Sequence, residues 1–177
     1  ISLTAEGTEF LSYARQVIEQ TQLLEQRYTN GKPAKRLCSV STQHYAFAVN
    51  AFVNLISRID TDEYEFTLRE TRTYEIIEDV ANFRSEVGIL YFSQFNEKVL
   101  KKLLKEHHLA FVPLFEAAPH VFISSAHPLA KREAVTLDDL EDYPFLAFEQ
   151  GTYNSFYFSE EILSTAPHKK TIHVSDR

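Results

Sequence analysis

Hydroxyl side chains follow two predicted strands, at points where a helix is about to begin. Ser41 and Thr42 end the segment RLCSVST, and Thr73 follows EYEFTLRET in the same way. A helix N-terminus carries unpaired N–H groups and a partial positive charge, so it can hold an anionic or polar ligand beside such hydroxyls. The alternative for each hydroxyl is that it only caps the helix that follows.

Further candidate ligand contacts come at the ends of two later predicted strands. Tyr91, Phe92 and Ser93 follow the third predicted strand, and Gln150 and Gly151 follow the strand FLAF. Ligands of open α/β sheets bind at the carboxyl ends of strands. We therefore expect two lobes to face each other across a cleft that suits a small ligand with an apolar body and polar ends.

Two arginines flank one of these turns. Arg69 and Arg72 lie on either side of the Thr73 turn, and a guanidinium there can pair with a carboxylate through two hydrogen bonds. Strand alternation lets only one of the two reach the rim of the cleft. The alternative for each is a solvated surface arginine.

Patterns typical of catalysis or metal binding are absent from the sequence. GxSxG, GxxxxGK[ST] and GxGxxG do not occur, and the seven histidines form neither an i,i+4 pair nor a CxxC-linked set. Asp138 and Asp139 fall at a predicted helix start, where they complement the helix dipole. Cys38, the single cysteine, is expected to be a buried strand residue. We expect no catalytic residue and no metal site.

Composition indicates an ordinary globular protein. The 177 residues are 44% hydrophobic, and 18 basic against 25 acidic side chains give a formal charge of -7. Such a surface repels phosphate backbones, so this stretch is a poor nucleic-acid binder by itself. No disulfide is possible within the chain, and no charged, apolar leader is visible; we expect a cytoplasmic protein without a membrane partner.

The first 28 residues carry the pattern of a long amphipathic helix. Thr4 is placed as its N-cap, and the next stop signal is Asn30-Gly31, which predicts about six or seven turns. Apolar spacings of four and three form one seam, the a/d pattern of paired helices. We predict a dimerisation seam, because a linker at 30–35 separates the helix from the rest; packing on its own domain is the alternative. The seam residues are Phe10, Ala14, Val17, Thr21, Leu24 and Tyr28.

Strand and helix patterns then alternate from residue 36 to residue 148. This order predicts right-handed crossovers and mainly parallel sheets, an α/β fold. Two further strands are predicted in HLAFVPLFEAAPHVFISS. A loop that leads into another helix is predicted in EQGTYNSFYFSEEIL, and a last strand is predicted to begin in KKTIHVSDR.

Three segments together resemble the LysR-type transcriptional regulators: LTAEGTEFLSYARQVI, VSTQHY and AHPLAKREAVTLDDLEDYPFLAF. The resemblance implies the end of a wing and a linker helix at 1–31, then a two-lobed effector domain similar to the periplasmic binding proteins. Its first lobe is expected at 35–116 and a partial second lobe, truncated at the C-terminus, at 117–177. The chain departs from the family at two places. The family commonly has a Pro in the turn before its second strand, where this chain has DEYEF, and an Asp before its third strand, where this chain has SEVGILY with the carboxylate of Glu86.

The resemblance also implies a function. A regulator of this type binds promoter DNA through a winged helix-turn-helix that this chain does not contain, works as a homodimer or tetramer, and senses a small polar or anionic metabolite as co-inducer. The turns at Ser41 and Thr73 are effector contacts in such proteins. A solute-binding module without a DNA-binding head is the alternative, and an enzyme is a third reading for which no catalytic group can be named.

Overall fold

The computed structural model describes residues 4–28, 36–60 and 63–175. They form two compact units, one of Ile1–Leu90 with His107–Leu109 and one of Tyr91–Glu106 with Ala110–Arg177. Parallel strands alternate with helices, so the predicted α/β fold class is confirmed. The elements are α1 (Ala5–Tyr28), β1 (Arg36–Thr42), α2 (Ala46–Ile56), β2 (Tyr64–Glu70), α3 (Thr73–Ala81), β3 (Val87–Ile89), α4 (Glu97–Glu106), α5 (Leu137–Leu140), β4 (Phe145–Phe148) and β5 (Thr171–Val174).

Helix α1 is as long as its sequence pattern predicts. It has 24 residues, and the Thr4 hydroxyl accepts a 3.0 Å hydrogen bond from the N–H of Gly7, which is the predicted N-cap. The predicted linker at 30–35 and the expected wing residues at 1–3 lie outside the described residues.

The sheet of the first unit has the strand order β2-β1-β3, and all neighbours are parallel. Ser41 is aligned with Arg69 and Gly88, and this row faces α3, because a Cβ on Gly88 would lie 2.8 Å from Cγ2 of Ile76. Side chains alternate along a strand, so Thr42 belongs to the opposite face. That face carries α2, whose Phe52 ring meets the edge of Phe66.

The second unit contains a two-stranded parallel sheet of β4 and β5, paired from Phe145↔Thr171 to Phe148↔Val174. Helix α5 begins with a capping box, because Thr136 and Asp139 satisfy each other's backbone N–H groups. Along α4, Leu100 and Leu104 are buried. The strand predicted in KKTIHVSDR is thus confirmed as β5.

Two predicted elements of the second unit do not form. Residues 109–124 contain no strand, although two were predicted there, and Val112, Leu114 and Phe122 are exposed. A strand needs a neighbour that exchanges backbone hydrogen bonds, and no described residue pairs with this segment. The helix predicted with the loop EQGTYNSFYFSEEIL at 149–163 does not form either, since the turns end before Pro167 and leave too few residues to offset the cost of helix nucleation.

Candidate functional site

Three consecutive polar side chains are buried at the carboxyl end of the central strand β1. Ser41, Thr42 and Gln43 are each at most 1% exposed. The carboxyl ends of β1, β2 and β3 meet at one edge because the strands are parallel. Burying polar groups is costly unless they are hydrogen-bonded, so the partners of these three side chains determine what the edge can do.

Ser41 belongs to a closed network on the α3 face. Its hydroxyl donates to the Asp79 carboxylate at 2.6 Å and lies 2.8 Å from the hydroxyl of Ser85. Asp79 also accepts a 2.9 Å hydrogen bond from Arg84. Sequence reasoning missed Asp79; the signal was a carboxylate among the apolar residues of α3. Ser41 stays a predicted site residue, but its hydroxyl is already engaged.

Thr42 differs from its neighbour because no described residue forms a hydrogen bond with its hydroxyl. Its side chain is 0% exposed, and among the described residues its Oγ1 is the one buried side-chain polar atom without a hydrogen bond. A buried hydroxyl without a partner costs on the order of 1–3 kcal/mol. The turn after β1 therefore keeps a hydrogen-bonding group that the described protein atoms do not satisfy.

Gln43 links the two turns that the sequence singled out. Its side-chain amide donates to Oγ1 of Thr73 at 2.6 Å, and its carbonyl oxygen accepts a 2.8 Å hydrogen bond from the Tyr45 hydroxyl. Thr73 is buried, like Gln43. The structure thus brings Thr73 next to the turn after β1, as the parallel sheet predicts. Gln43 was missed although it follows Ser41 and Thr42 directly.

Neither Ser41 nor Thr42 is the N-cap of the helix that follows it. Helix α2 begins after Tyr45 and α3 after Arg72, and neither of these N-cap residues makes a side-chain cap. Ser41 and Thr42 lie several residues before α2, and Thr73 is already the first residue of α3.

The two arginines of this region take different roles. Arg69 donates through Nη1 to the carbonyl oxygen of Arg84 at 3.0 Å and to the Ser85 hydroxyl at 3.2 Å. Arg72 pairs with Glu75 at 3.2 Å, one turn along α3. Arg69 therefore lies on the α3 side of the sheet.

In the second unit, the candidates Tyr91, Phe92 and Ser93 all have partners. The Tyr91 hydroxyl donates to the carbonyl oxygen of Ser159 at 3.0 Å, and the Phe92 ring stacks on Phe111 with ring centroids 3.9 Å apart. The N–H of Ser93 donates to the side-chain oxygen of Asn96 at 2.7 Å. These contacts fix the segment that leads into α4.

Gln150 and Gly151 begin the turn after β4. Gln150 is buried, and its amide donates to the Glu160 carboxylate at 3.2 Å. The backbone of Gly151 has a φ of 61°, which favours glycine. Nearby, Glu161 accepts hydrogen bonds from the N–H of Phe148 at 2.8 Å and from the Ser159 hydroxyl at 3.1 Å.

Two groups near this turn, Tyr91 and Glu161, have raised pKa values. Burial raises the pKa of Tyr91 to about 12, and the negative charges of Glu161 and Glu160 add to the shift. Burial also raises the pKa of Glu161, although its two hydrogen bonds act in the opposite direction. The Tyr91 hydroxyl consequently stays protonated, and therefore a donor, throughout the physiological pH range.

The apolar seam of α1 is uncovered in the single chain. Phe10 is 70% exposed, Val17 65% and Leu24 60%, while Ala14 is partly buried. Thr21 satisfies its hydroxyl within the helix, by donating to the carbonyl oxygen of Val17 at 2.7 Å. The Tyr28 side chain lies outside the described residues.

Other reactive groups give no sign of a further centre. Cys38 is partly buried, and burial followed by the nearby Glu86 carboxylate raises the pKa of its thiol. Within residues 4–28, 36–60 and 63–175, no group of three His, Cys, Asp or Glu side chains is arranged to hold a metal ion. None of the helices in the described part is long and apolar enough to cross a membrane.

Comparison with known proteins agrees with this geometry. The family model of the LysR substrate binding domain matches residues 46–173. An uncharacterized HTH-type transcriptional regulator of Escherichia coli (strain K12), YnfL, is 26% identical over 161 residues, which cover 89% of this chain and 50% of the relative. No solved structure matches the chain significantly. The match from α2 to β5 shows that the chain belongs to the LysR substrate-binding domain family.

Proposed function

We propose that this chain is the dimerising and effector-sensing part of a DNA-binding LysR-type transcriptional regulator. The chain spans half the length of the relative YnfL, whose name describes an HTH-type transcriptional regulator. DNA binding would therefore lie in a winged helix-turn-helix outside this chain, which is consistent with the acidic charge of -7 here. Action on promoter DNA implies a cytoplasmic location, and the role is regulatory rather than enzymatic.

The observation that carries the proposal is the uncovered seam of α1. A long helix with Phe10, Val17 and Leu24 mostly exposed presents apolar surface that a matching helix covers in a coiled coil. The relevant partner is a second copy of this chain, because the a/d spacing repeats along one face and is self-complementary in a two-fold pair. This arrangement gives a homodimer. The family resemblance implies that such dimers can also form a tetramer.

The turn after β1 is the proposed effector contact of the first unit. Thr42 supplies a buried hydroxyl without a partner among the described residues, and Tyr45, the N-cap residue of α2, makes no side-chain cap. Both features favour a small polar or anionic metabolite, which would accept or donate at the hydroxyl and interact favourably with the helix dipole. Ser41 and Thr73 would then position the turn through Asp79 and Gln43.

The second unit contributes its own proposed contacts. The segment Tyr91, Phe92 and Ser93 and the turn at Gln150 and Gly151 each follow a predicted strand, and ligands of open α/β sheets bind at the carboxyl ends of strands. The protonated Tyr91 hydroxyl and the Gln150 amide are donors whose present acceptors are a backbone oxygen and a carboxylate. A metabolite that offers better acceptors would exchange with these contacts.

Regulation would follow from a difference in affinity. An effector changes DNA binding only if it binds more tightly to one quaternary arrangement of the dimer than to another. The coupling through α1 would then reposition the DNA-binding parts that precede it.

The experiment that tests the proposal is the molar mass of the purified protein in light scattering, with and without the substitution Leu24→Asp. We expect a dimer or tetramer for the natural sequence, because each buried leucine contributes about 2 kcal/mol to the seam. Leu24→Asp should yield monomers, since a charge would be buried in the interface. Ser12→Asp, on the opposite face of α1, adds the same charge and should leave the mass unchanged.

Either of two results would contradict the proposal. A monomer with the natural sequence would favour a solute-binding module without a DNA-binding head. An oligomer that is unaffected by Leu24→Asp would mean that association does not use α1.

A further inference from the structure

A polar cleft lies in the first unit between the edge strand β2 and helix α3. Its volume is about 660 Å³, within the range of small-molecule sites. Neither Thr42 nor Thr73 lines it, so it is separate from the proposed effector turn. Two arginines and four carboxylates line it, together with the amide of Asn82: Arg69, Arg84, Glu70, Glu75, Glu78 and Asp79.

Arg69 has no carboxylate partner among the residues that the structure describes. Both of its hydrogen bonds use Nη1 and end on neutral acceptors, the carbonyl oxygen of Arg84 and the Ser85 hydroxyl. No described carboxylate lies within ion-pair distance of it, whereas the neighbouring Arg84 pairs with Asp79 at 2.9 Å. Arg69 is also partly buried, so its charge is less well solvated than that of a surface arginine. Its Nε and Nη2 remain available to an anion.

Glu78 is the complementary anion on the other wall. It is partly buried on α3, and no described residue forms a hydrogen bond or an ion pair with its carboxylate. Glu75, by contrast, accepts from Thr71 and pairs with Arg72. Asn82 follows Glu78 by one helical turn on the same face and adds an amide donor and acceptor.

We propose that this cleft is a second binding site and that it takes a small zwitterion of the α-amino acid type. The carboxylate of the ligand pairs with Arg69, and its ammonium group pairs with Glu78. A simple anion would leave Glu78 unpaired and a simple cation would leave Arg69 unpaired, so a ligand with both charges matches the lining best. The polar walls exclude a large apolar body.

The first experiment screens the standard amino acids at millimolar concentration against the purified protein by ligand-observed NMR. The strongest binder is then compared with its N-acetyl derivative, which lacks the ammonium group, and with its carboxamide, which lacks the carboxylate. We expect binding of the free amino acid and a loss of about tenfold or more for each derivative, since each loses one charge-assisted contact.

Substitutions locate the binding. Arg69→Gln and Glu78→Gln should each weaken it about tenfold, whereas the exposed Arg58→Gln on the same unit should have no effect. Because Arg69 also contacts Ser85, its replacement can disturb folding; Glu78 makes no such contact, so Glu78→Gln decides in that case. Thr42→Val should leave amino acid binding unchanged, which separates this site from the proposed effector turn.

Three outcomes would overturn the proposal. They are that no amino acid binds in the screen, that the two derivatives bind as well as the free amino acid, or that Glu78→Gln binds as well as the natural sequence. Loss of binding in Thr42→Val would place the amino acid at the effector turn instead and would also contradict the second site.

Discussion

The hydroxyl of Ser41 and the carboxylate of Asp79 form a 2.6 Å hydrogen bond in the interior of the first unit, and the two residues are 0% and 3% exposed. The bond ties the end of the central strand to helix α3. It also explains why adjacent hydroxyls differ, because Ser41 points towards α3 and its network while Thr42 points to the other face of the sheet. Ser41 therefore joins a buried network, whereas the Thr42 hydroxyl has no partner among the described residues.

Ser41→Ala should destabilise the protein. The substitution removes a donor to the buried Asp79 carboxylate, and we expect the free energy of unfolding to fall by about 1–3 kcal/mol. Urea unfolding measures this change. Ser57→Ala, which removes an exposed hydroxyl on the C-terminal side of α2, should change stability by less than about 0.5 kcal/mol. Equal effects of the two substitutions would mean that the network does not stabilise the fold.

Thr42→Val and Thr73→Val should have opposite effects on stability. Both threonines are buried, but the Thr42 hydroxyl has no hydrogen-bond partner in the described part of the chain, while Thr73 accepts a 2.6 Å hydrogen bond from Gln43. Valine at position 42 removes an unsatisfied group and should raise the unfolding free energy by about 1 kcal/mol. Valine at position 73 removes the acceptor of the Gln43 amide and should lower the unfolding free energy by about 1–3 kcal/mol. Thermal unfolding without added ligand measures both, and a destabilising Thr42→Val would contradict an unpaired hydroxyl.

Gly88→Ala should destabilise the first unit through overpacking. A Cβ at this position would lie 2.8 Å from Cγ2 of Ile76 and 3.0 Å from Cγ2 of Val80, so α3 would have to shift away from the sheet. Overpacking of this kind costs about 1–3 kcal/mol, which chemical unfolding would detect. Gly7→Ala in helix α1 serves as the comparison, because alanine favours a helix and should be neutral or stabilising. If Gly88→Ala left the free energy of unfolding unchanged, α3 would be able to move away from the sheet without loss of stability.

The pH dependence of stability should change in Glu161→Gln. Burial raises the folded-state pKa of Glu161 above its ordinary value of 4.5, so the folded protein binds the proton more tightly than the unfolded chain does. Glu161 therefore makes stability fall as pH rises from about 4.5 through the raised folded pKa. Glutamine has no such titration but can still accept from the N–H of Phe148. We expect its stability relative to the natural sequence to increase with pH across this window.

Thermal unfolding at a series of pH values measures the effect of Glu161→Gln. The control is Glu133→Gln, an exposed glutamate of the same unit, whose stability difference should stay constant with pH. A constant difference for Glu161→Gln as well would mean that this carboxylate is as well solvated as a surface group.

Local patterns were sufficient for the first unit and for α1. The N-cap at Thr4 and the four-and-three spacing after it depend on residues within one or two turns, and α1 forms as predicted. Alternating strand and helix segments likewise determined a parallel sheet, which placed Ser41 and Thr73 at one edge. The same patterns predicted two strands at 109–124 that do not form, because no described strand lies beside this segment to pair with it.

The sequence by itself determined the α/β class and the family resemblance, because each depends on neighbours close along the chain; the turns proposed to contact a ligand stay a prediction. Only the tertiary structure decided which hydroxyl is engaged and which is not. Ser41 bonds to Asp79 and Ser85, which lie 38 and 44 residues further along the chain. The Gln43 amide that donates to Thr73 lies 30 residues before it. Such pairings depend on how helix α3 packs on the sheet, and side-chain hydrogen bonds are specific to a distance of about 3 Å. For that reason the unpaired state of Thr42 and the unmatched charges of Arg69 and Glu78 became visible only in the fold.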